Sequence, residues 1–261
     1  MTFRGSAPTS AQLQHVRCLF TDIDDTLTTS GRLLPQTYQA LWDLHDCGIQ
    51  VVPVTGGSAG WCEHIVRAWP VAAAIGESGA FMMTLDKGRV ATEFWEDGAL
   101  QARRQAEHRR AIEPLLGAFR LAHDQQFRLA DVAIDIAGQP GPDIEALAGQ
   151  IRSHGAAVAI SSIHINTWIG TYDKRTMSER LLERLQISPD DIALSTAFVG
   201  DSRNDAPMFA FFSNTFGVAN IIPVLDDIPT RPRWISERPA GLGFADIAQT
   251  LLAERRGAPL S

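Results

Sequence analysis

An apolar strand that runs into clustered carboxylates occupies Cys18-Leu19-Phe20-Thr21-Asp22-Ile23-Asp24-Asp25-Thr26-Leu27. Asp22 and Asp24 lie two residues apart, so their side chains point the same way as long as the chain stays extended. At ~4 Å and an effective dielectric constant of ~20, two such charges repel by ~4 kcal/mol, which amounts to a pKa shift of roughly three units. We therefore expect either one protonated carboxyl group or a bound cation at this strand end.

Two further strands end in polar groups of similar design. Ala197-Phe198-Val199-Gly200-Asp201-Ser202-Arg203-Asn204-Asp205 is an apolar strand followed by a glycine and two carboxylates four residues apart. Val51-Val52-Pro53-Val54-Thr55-Gly56-Gly57-Ser58 ends in a hydroxyl group followed by glycines, which suits a phosphate-binding turn. Asp and Thr are also ordinary turn residues after a strand. Three strand ends of this kind nevertheless favour a shared site.

The composition excludes several classes of ligand. The 261 residues, of which 45% are hydrophobic, allow a substantial core in one large domain or two smaller ones. A net charge of -7 with no basic run argues against nucleic acid as a partner. No stretch of the sequence is apolar for long enough to span a bilayer. Cys18, Cys47 and Cys62 share no metal-ligand spacing, so we interpret them as reduced thiols of a cytoplasmic protein.

The order of the predicted elements indicates an α/β fold. At both ends of the chain, near-continuous apolar strands alternate with helices, which indicates a Rossmann-like parallel sheet covered on both faces. In the middle, Val132, Ile134 and Ile136 alternate with small or polar residues, which is typical of a small sheet with one open face. We therefore predict a flexible tail at 1–15, a core domain at 16–80 and 172–258, and an inserted α+β domain at 81–171.

Each domain has its own predicted elements. For the core we predict strands at 16–21, 49–54, 71–75, 196–199, 215–218 and 233–235, and helices at 35–47, 58–68, 174–186, 204–212 and 244–254. For the insertion we predict strands at 89–95 and 131–137, helices at 99–122 (broken at Pro114) and 141–154, and one long strand or a hairpin at 156–169.

This topology brings the polar strand ends together. In an open parallel sheet the ligand binds outside the carboxyl ends of the strands. We therefore expect one crevice to contain five polar residues: Asp22, Asp24, Thr55, Asp201 and Asp205. So many carboxylates require a hard cation, and Mg²⁺ suits them because it binds through a few carboxylates and a substrate phosphate.

A positive side chain is expected on the far side of a bound phosphoryl group, where negative charge builds up during transfer. Lys174, in Tyr172-Asp173-Lys174-Arg175, opens a helix where the chain returns to the core. A lysine at a helix start is more often a surface residue in an arbitrary sequence. The neighbouring strand-end motifs favour a role at the site here.

These segments resemble the motifs of the haloacid dehalogenase (HAD) superfamily. The resemblance is closest to its Mg²⁺-dependent phosphatases with a large inserted cap of the C2 type (subclass IIB, Cof-like or sugar-phosphatase-like). The first motif, D-x-D-x-T, lies at residues 22–26, and the second, a hydroxyl residue at a strand end, is Thr55. The third, a lysine, is Lys174, and the fourth, G-D-x-x-x-D, lies at residues 200–205.

The resemblance implies a role for each of these side chains. Asp22 attacks phosphorus, while Asp24 protonates the leaving oxygen and later activates water. The Asp22 carboxylate, the Asp24 main-chain carbonyl and Asp201 hold Mg²⁺. Asp205 lies behind these metal ligands or orients Lys174. The Thr55 hydroxyl and the Gly56 amide hold phosphate oxygens.

Two positions depart from the usual pattern of that superfamily. Asp25 stands where many relatives have Gly, and because Asp tolerates a left-handed backbone we expect little loss. Glu77-Ser78-Gly79 stands where capped relatives often carry Asn before Gly, a position linked to a substrate or hinge contact.

The inserted domain is expected to choose the substrate. Ser162, His164 and Asn166 share one face of a predicted strand and could bind sugar hydroxyl groups, although a solvated sheet face is an equal alternative. We expect hydrolysis of a small phosphorylated metabolite, with a sugar or polyol phosphate favoured, through an aspartyl-phosphate.

Two alternatives to hydrolysis remain open. The first is phosphotransfer as in phosphohexomutases, which Gly56-Gly57-Ser58 and Asp173-Lys174-Arg175 weakly favour. The second is a non-catalytic protein that binds a phosphometabolite. The oligomeric state is left open as well.

Overall fold

A computed structural model describes residues 3–4 and 7–256 of the chain. In chain order the strands are β1 (Phe3–Arg4), β2 (Cys18–Thr21), β3 (Thr28–Thr29), β4 (Arg32–Leu33), β5 (Gln50–Pro53), β6 (Ala74–Gly76), β7 (Phe81–Asp86), β8 (Arg89–Phe94), β9 (Arg120–Leu121), β10 (Val132–Asp135), β11 (Ala157–Ile160), β12 (His164–Trp168), β13 (Thr196–Gly200), β14 (Asn214–Gly217) and β15 (Trp234–Ser236). The α-helices are α1 (Ser10–Leu13), α2 (Pro35–Asp46), α3 (Ala59–Ala68), α4 (Gly98–Ile112), α5 (Gly141–Ser153), α6 (Lys174–Arg184), α7 (Pro189–Ser195), α8 (Ala206–Phe211) and α9 (Ala240–Arg256).

The largest sheet has the strand order β1-β15-β14-β13-β2-β5, and its strands run parallel except for β1. Strands β2 and β13 are neighbours, with Thr21 opposite Val199. Thr21 is likewise opposite Pro53 of β5. The three polar segments that follow these strands therefore leave the sheet at the same edge.

Both faces of this sheet are buried, which explains why its strands are almost continuously apolar. Leu19 and Val51 point into a cluster that includes side chains of α2, α3 and α9. Their neighbours Phe20 and Val52 point into a second cluster, with side chains of α6 and α8. This alternation confirms the predicted α/β core with helices on both sides.

Two segments of the predicted tail at 1–15 form secondary structure and pack against the core. Phe3 and Arg4 pair antiparallel with β15, and Phe3 is buried with its ring 5.9 Å from that of Phe216. Leu13, at the end of α1, is fully buried. The polar residues between these positions indicate a loose tail, but two apolar side chains are enough to anchor the segment.

A hairpin of β7 and β8 extends the core beyond the predicted boundary at residue 81. β7 pairs antiparallel with β6, and Ile75 of β6 forms a parallel bridge to Val54 after β5. Phe81 is fully buried within the core cluster. The hydrogen bonds thus join residues 81–94 to the core, and the separate inserted sheet follows only after them.

The inserted domain is a four-stranded antiparallel sheet of order β11-β12-β10-β9 with α4 and α5 on one face. Val132, Ile134 and Ile165 face those helices, and the alternating residues face the core. The segment predicted as one strand or a hairpin is the hairpin β11–β12. The predicted helix at 99–122 ends at Ile112. Pro114 has no N–H to continue the helical hydrogen bonds, and it lies in a 3₁₀ turn instead.

Within the described ranges, none of the helices has the length and hydropathy that a membrane span would need.

Candidate active site

A cleft of about 870 Å³ lies between the carboxyl edge of the main sheet and the inserted sheet. The core side of its lining contains the polar segments that follow β2, β5 and β13. The opposite wall includes β11, β12 and the turn between them, with side chains of α5 and of the segment before β10. Of the five residues expected in one crevice, Asp22, Asp24, Thr55 and Asp201 line this cleft, and Asp205 is fully buried beneath it.

Lys174 lies at the bottom of the cleft and is buried with its carboxylate partners. Its Nζ donates to Asp22 Oδ1 at 2.6 Å and to Asp205 Oδ1 at 2.9 Å. Asp173 caps the helix by accepting from the Thr176 amide at 2.7 Å, which aims the first helical side chain into the site. Burial alone would lower the pKa of Lys174, but Asp205 and Asp22 raise it above the ordinary value. The surface-lysine alternative is excluded by this burial.

Three carboxylates are buried close together beside Lys174. Oxygens of Asp22, Asp201 and Asp205 all lie within 4.8 Å of one another. Burial raises the pKa of Asp22 to about 7, with Asp205 and Asp24 adding to the rise and Lys174 opposing it. Burial and then the charge of Asp22 raise the pKa of Asp201 to about 9. This cluster of hard oxygen donors with surplus negative charge fits Mg²⁺.

Asp201 is held by side chains from two other segments. The Thr26 hydroxyl donates to its Oδ1 at 3.1 Å, and Asn220 Nδ2 donates to its Oδ2 at 2.8 Å. Asn220 also donates to the Asp25 carbonyl and accepts from the Ala240 amide, so it links three loops. The sequence analysis missed Asn220, although it follows β14 at the same sheet edge and the rule used for the other strand ends applies to it.

Asp205 contacts Lys174 and also braces its own loop. Its Oδ2 accepts from the Asp201 amide at 3.0 Å and from the Ser202 amide at 3.3 Å. A Cβ at Gly200 would lie 2.5 Å from this oxygen, which explains the glycine before Asp201. Of the two roles considered for Asp205, orientation of Lys174 matches this contact pattern.

Asp24 and Asp25 line the cleft beside Asp22. Burial raises the pKa of Asp24, with Lys174 opposing the rise and Asp25 adding to it. Asp25 has φ +56°, the left-handed conformation expected of Asp in place of Gly, and its Oδ2 accepts from the Ser162 hydroxyl at 3.3 Å. A carboxyl group with a raised pKa at Asp24 is suited to donating a proton.

The turn after β5 presents two free donors. The Gly57 amide donates to Thr55 Oγ1 at 2.9 Å, so the Thr55 hydroxyl hydrogen points elsewhere. The Thr55 carbonyl accepts from the Ser78 amide at 3.0 Å, and in a trans peptide the Gly56 N–H points the opposite way. Gly56 N–H has no hydrogen-bond acceptor among the described residues. Both groups belong to residues that line the cleft.

No protein-family model matches the sequence, and no curated protein matches it significantly. Solved structures do match the fold. A protein from Thermoplasma acidophilum aligns with a TM-score of 0.73 and 18% identity over 90% of this chain and 98% of that one. The sucrose-phosphatase from Synechocystis, solved with sucrose and phosphate, aligns with a TM-score of 0.63 and 16% identity over 91% and 98%. A sugar phosphatase of HAD subclass IIB aligns with a TM-score of 0.63 and 13% identity over 90% and 98%.

This chain has the capped haloacid dehalogenase fold. The predicted fold class, a HAD core with an inserted α+β cap, is thereby confirmed. Sequence identities of 18% or less show that the fold is similar and say nothing of the reaction or the substrate.

In the cap of this HAD fold, two of the three predicted sugar-binding residues face the cleft and the third contacts the core. Ser162 and His164 line the cleft, and burial followed by the charge of Arg128 lowers the pKa of His164. Asn166 is 3% exposed, and its Nδ2 donates to the Gly56 carbonyl and to Asp131 Oδ2, both at 2.9 Å. The solvated-face alternative is therefore wrong for Asn166, which contacts the core directly.

Sequence reasoning missed three charged residues where the HAD core meets the cap. Arg128 and Asp131 precede β10, and both are buried. Glu77, noted only as a departure from the family pattern, is fully buried and binds main-chain amides of residues 129–131. No local pattern marks these residues, since each contacts partners that are distant in sequence.

Proposed function

We propose that the protein is a Mg²⁺-dependent phosphatase that hydrolyses a small phosphomonoester through an aspartyl-phosphate. The arrangement that carries the proposal is the buried Asp22–Lys174–Asp205 group. Lys174 engages Asp22 Oδ1, and among the described residues Oδ2 has no hydrogen-bond partner. A carboxylate oxygen that is free on one side and held on the other is suited to nucleophilic attack.

Asp22 and Asp201 would hold Mg²⁺ together with the Asp24 carbonyl. Asp205 would instead orient Lys174 and its own loop, through the hydrogen bonds that its two oxygens accept from Lys174 and from two amides. When bound, the ion draws charge from the phosphoryl oxygens and lets a carboxylate approach them. The Thr55 hydroxyl and the Gly56 amide would donate to two of these oxygens. Lys174 offsets the charge that develops on the transferring group.

The reaction has two steps at the same carboxylate. Asp22 Oδ2 forms a bond to phosphorus as the bond from phosphorus to the leaving oxygen breaks, and the Asp24 carboxyl group gives its proton to that oxygen. Asp24, now ionised, takes a proton from water as the water attacks phosphorus. The bond from phosphorus to Asp22 then breaks, which releases phosphate, restores the Asp22 carboxylate and leaves Asp24 protonated as before the first step.

A sugar or polyol phosphate is the proposed substrate class. The cleft volume of about 870 Å³ suits a small metabolite. His164 and Ser162 bring polar groups to its cap side. The printed names of two similar structures, a sucrose-phosphatase and a sugar phosphatase, agree with this choice. The free thiols of Cys18, Cys47 and Cys62 agree with a cytoplasmic location.

The deciding experiment measures inorganic phosphate release from sugar, polyol, nucleotide and glycerate phosphates, with Mg²⁺ or with chelator. We expect the wild type to release phosphate with Mg²⁺ and not with chelator. In Asp22→Asn the rate of release should fall by at least about a thousandfold, because the nucleophile is removed. Asp190→Asn, an exposed carboxylate of α7, is the matched control and should retain full activity.

Equal rates in Asp22→Asn and the wild type would refute the mechanism. Transfer of the phosphoryl group between positions of a hexose phosphate without release would instead support the phosphohexomutase alternative. Phosphate-ester binding without any turnover would support the non-catalytic alternative.

A further inference from the structure

The carbonyl of Gly56, in the turn after β5, accepts two hydrogen bonds from the cap. Arg128 Nη1 and Asn166 Nδ2 both donate to it at 2.9 Å. These two side chains are 4% and 3% exposed. A Cβ at Gly56 would lie 3.0 Å from Asn166 Oδ1, so the cap packs directly on this turn. Two donors from one domain therefore converge on one carbonyl of the other.

Asp131 fixes these two donors relative to each other. Its carboxylate accepts from Arg128 Nη1 at 2.9 Å and from Asn166 Nδ2 at 2.9 Å. Arg128 Nη2 pairs with Asp124 Oδ2 at 3.0 Å on its other side. Asp131 is fully buried, so the loss of either donor would leave one of its oxygens without a partner in the interior. The donors are thus held in one arrangement.

Glu77 anchors the same cap segment to the core. Its carboxylate accepts from the amides of Leu129, Ala130 and Asp131 at 2.6 to 3.1 Å, and from the Ala59 amide at the start of α3 at 3.0 Å. Glu77 itself has φ +45°, a conformation that costs energy for a side chain of this kind. The backbone of Glu77 is strained, and its fully buried carboxylate binds four amides. These contacts fix the position of the segment that carries Arg128.

The peptide between Gly56 and Gly57 is therefore held at both ends. Its carbonyl accepts from the cap, and its N–H donates to Thr55 Oγ1 at 2.9 Å. We propose that Arg128 and Asn166 are positioning residues of the cap, whose hydrogen bonds to the Gly56 carbonyl keep the Thr55–Gly57 turn in its phosphate-binding shape. This inference rests on the proposed function, because that function assigns Thr55 and Gly56 to the phosphoryl group.

The hydrogen-bond capacity of Asn166 separates this role from recognition of the leaving group. An amide nitrogen carries two hydrogens. Those of Asn166 are both used, one by Gly56 and one by Asp131. Asn166 has no N–H left for a sugar hydroxyl group. Only its Oδ1 could still accept from a substrate hydroxyl group, so comparing phosphate with esters of different leaving groups separates the two roles.

The test measures the binding of inorganic phosphate, which has no leaving group, to the full chain with Mg²⁺ by calorimetry. In Asn166→Ala we expect the Kd of phosphate to rise about tenfold, which is the size of one lost hydrogen bond. The KM values for para-nitrophenyl phosphate and for a hexose phosphate should rise by the same factor as each other. Arg128→Lys keeps the charge but not the paired donors, so its Kd should lie between those of Asn166→Ala and the wild type.

Arg120→Gln is the matched control, because among the described residues Arg120 donates its side-chain hydrogen bonds to carbonyls of its own cap turn at residues 117–119. An unchanged phosphate Kd in both Asn166→Ala and Arg128→Lys, with a rise in KM confined to one ester, would overturn the proposal and assign these side chains to the leaving group. If Asn166→Ala does not fold, as judged by thermal melting, Arg128→Lys alone decides. A wild type that binds phosphate but hydrolyses no ester would refute the proposed function while the Kd values still judge the positioning role. A wild type that binds no phosphate would overturn both.

Discussion

Charge balance at single residues governs this site. Asp22, Asp201 and Asp205 are buried with oxygens within 4.8 Å of one another, and Lys174 pairs with Asp22 and Asp205 but not with Asp201. Burying like charges together is unfavourable, and the raised pKa values of Asp22 and Asp201 express that cost. The arrangement sacrifices stability in the metal-free protein for a site that attracts a divalent cation.

Asp201→Asn should stabilise the metal-free protein. The amide has nearly the same shape, and the Thr26 hydroxyl can rotate to accept from it while Asn220 still donates to its oxygen. In chelator at neutral pH, Asp201 with its pKa of about 9 has to take up a proton when the chain folds, and the amide avoids that cost. We expect a gain of about 2 kcal/mol, or roughly 5 °C in Tm. Added Mg²⁺ should raise the Tm of the wild type and leave that of the variant unchanged. Thermal melting with and without Mg²⁺ measures both effects.

Asp190→Asn on the exposed start of α7 serves as the control and should change neither Tm value. A lower Tm for Asp201→Asn in chelator would mean that the carboxylate is stabilised by its neighbours. The charge balance described above would then be incorrect.

Among the elements, the two-residue strand β1 closes one edge of the main sheet. Strand edges with unpaired amides invite association with other chains, and β1 covers the edge that β15 would otherwise expose. The side chain of Phe3 packs on Phe216 below it. This element lies in the segment predicted to be a loose tail.

Phe3→Ala should lower the free energy of unfolding by about 3 kcal/mol, since it removes a buried aromatic ring. Denaturant unfolding at equilibrium measures this. Arg4→Ala is a neighbouring control whose exposed side chain should contribute little. Equal unfolding midpoints for Phe3→Ala and the wild type would show that the segment does behave as a tail.

Other elements show how far local signals reach. Pro35 at the start of α2 and Pro114 after α4 set those helix ends as predicted. Helix α7 was missed although its start was readable, with Ser188 as N-cap and Pro189 at the first helical position. Strand β7 was missed for a physical reason: its turn to β8 places Lys87 at φ +48°, and lysine gives only a weak turn signal there.

At the scale of the whole molecule, cap and core meet through two unlike contact regions. On one side the buried side chains of Glu77, Arg128 and Asn166 join the domains. On the other side Ser162 donates to Asp25 at 3.3 Å in an exposed contact. The buried side should couple the unfolding of the two domains, because separating them would break these charged hydrogen bonds between core and cap together.

Glu77→Gln should weaken this coupling. The carboxylate now accepts hydrogen bonds from main-chain N–H groups, and the NH₂ of the introduced amide would face those same donors. We therefore expect the free energy of unfolding to fall by about 3 kcal/mol. Differential scanning calorimetry should show one transition in the wild type and an earlier, separate cap transition in the variant. Glu107→Gln on the exposed face of α4 should keep the single transition. A single, unshifted transition in Glu77→Gln would contradict the coupling.

The carboxylates, hydroxyl and lysine of the cleft were predictable from the amino-acid pattern because each follows a strand or opens a helix of the parallel core. Parallel strands place their carboxyl ends at one edge, so Asp22, Thr55 and Asp201 meet whatever the rest of the chain does. The contacts of Glu77, Arg128 and Asn166 were not predictable. They join residues 52 to 110 positions apart, and their geometry depends on how the cap sits over the core. A polar side chain in a loop carries no local sign of which distant amide or carbonyl it will meet.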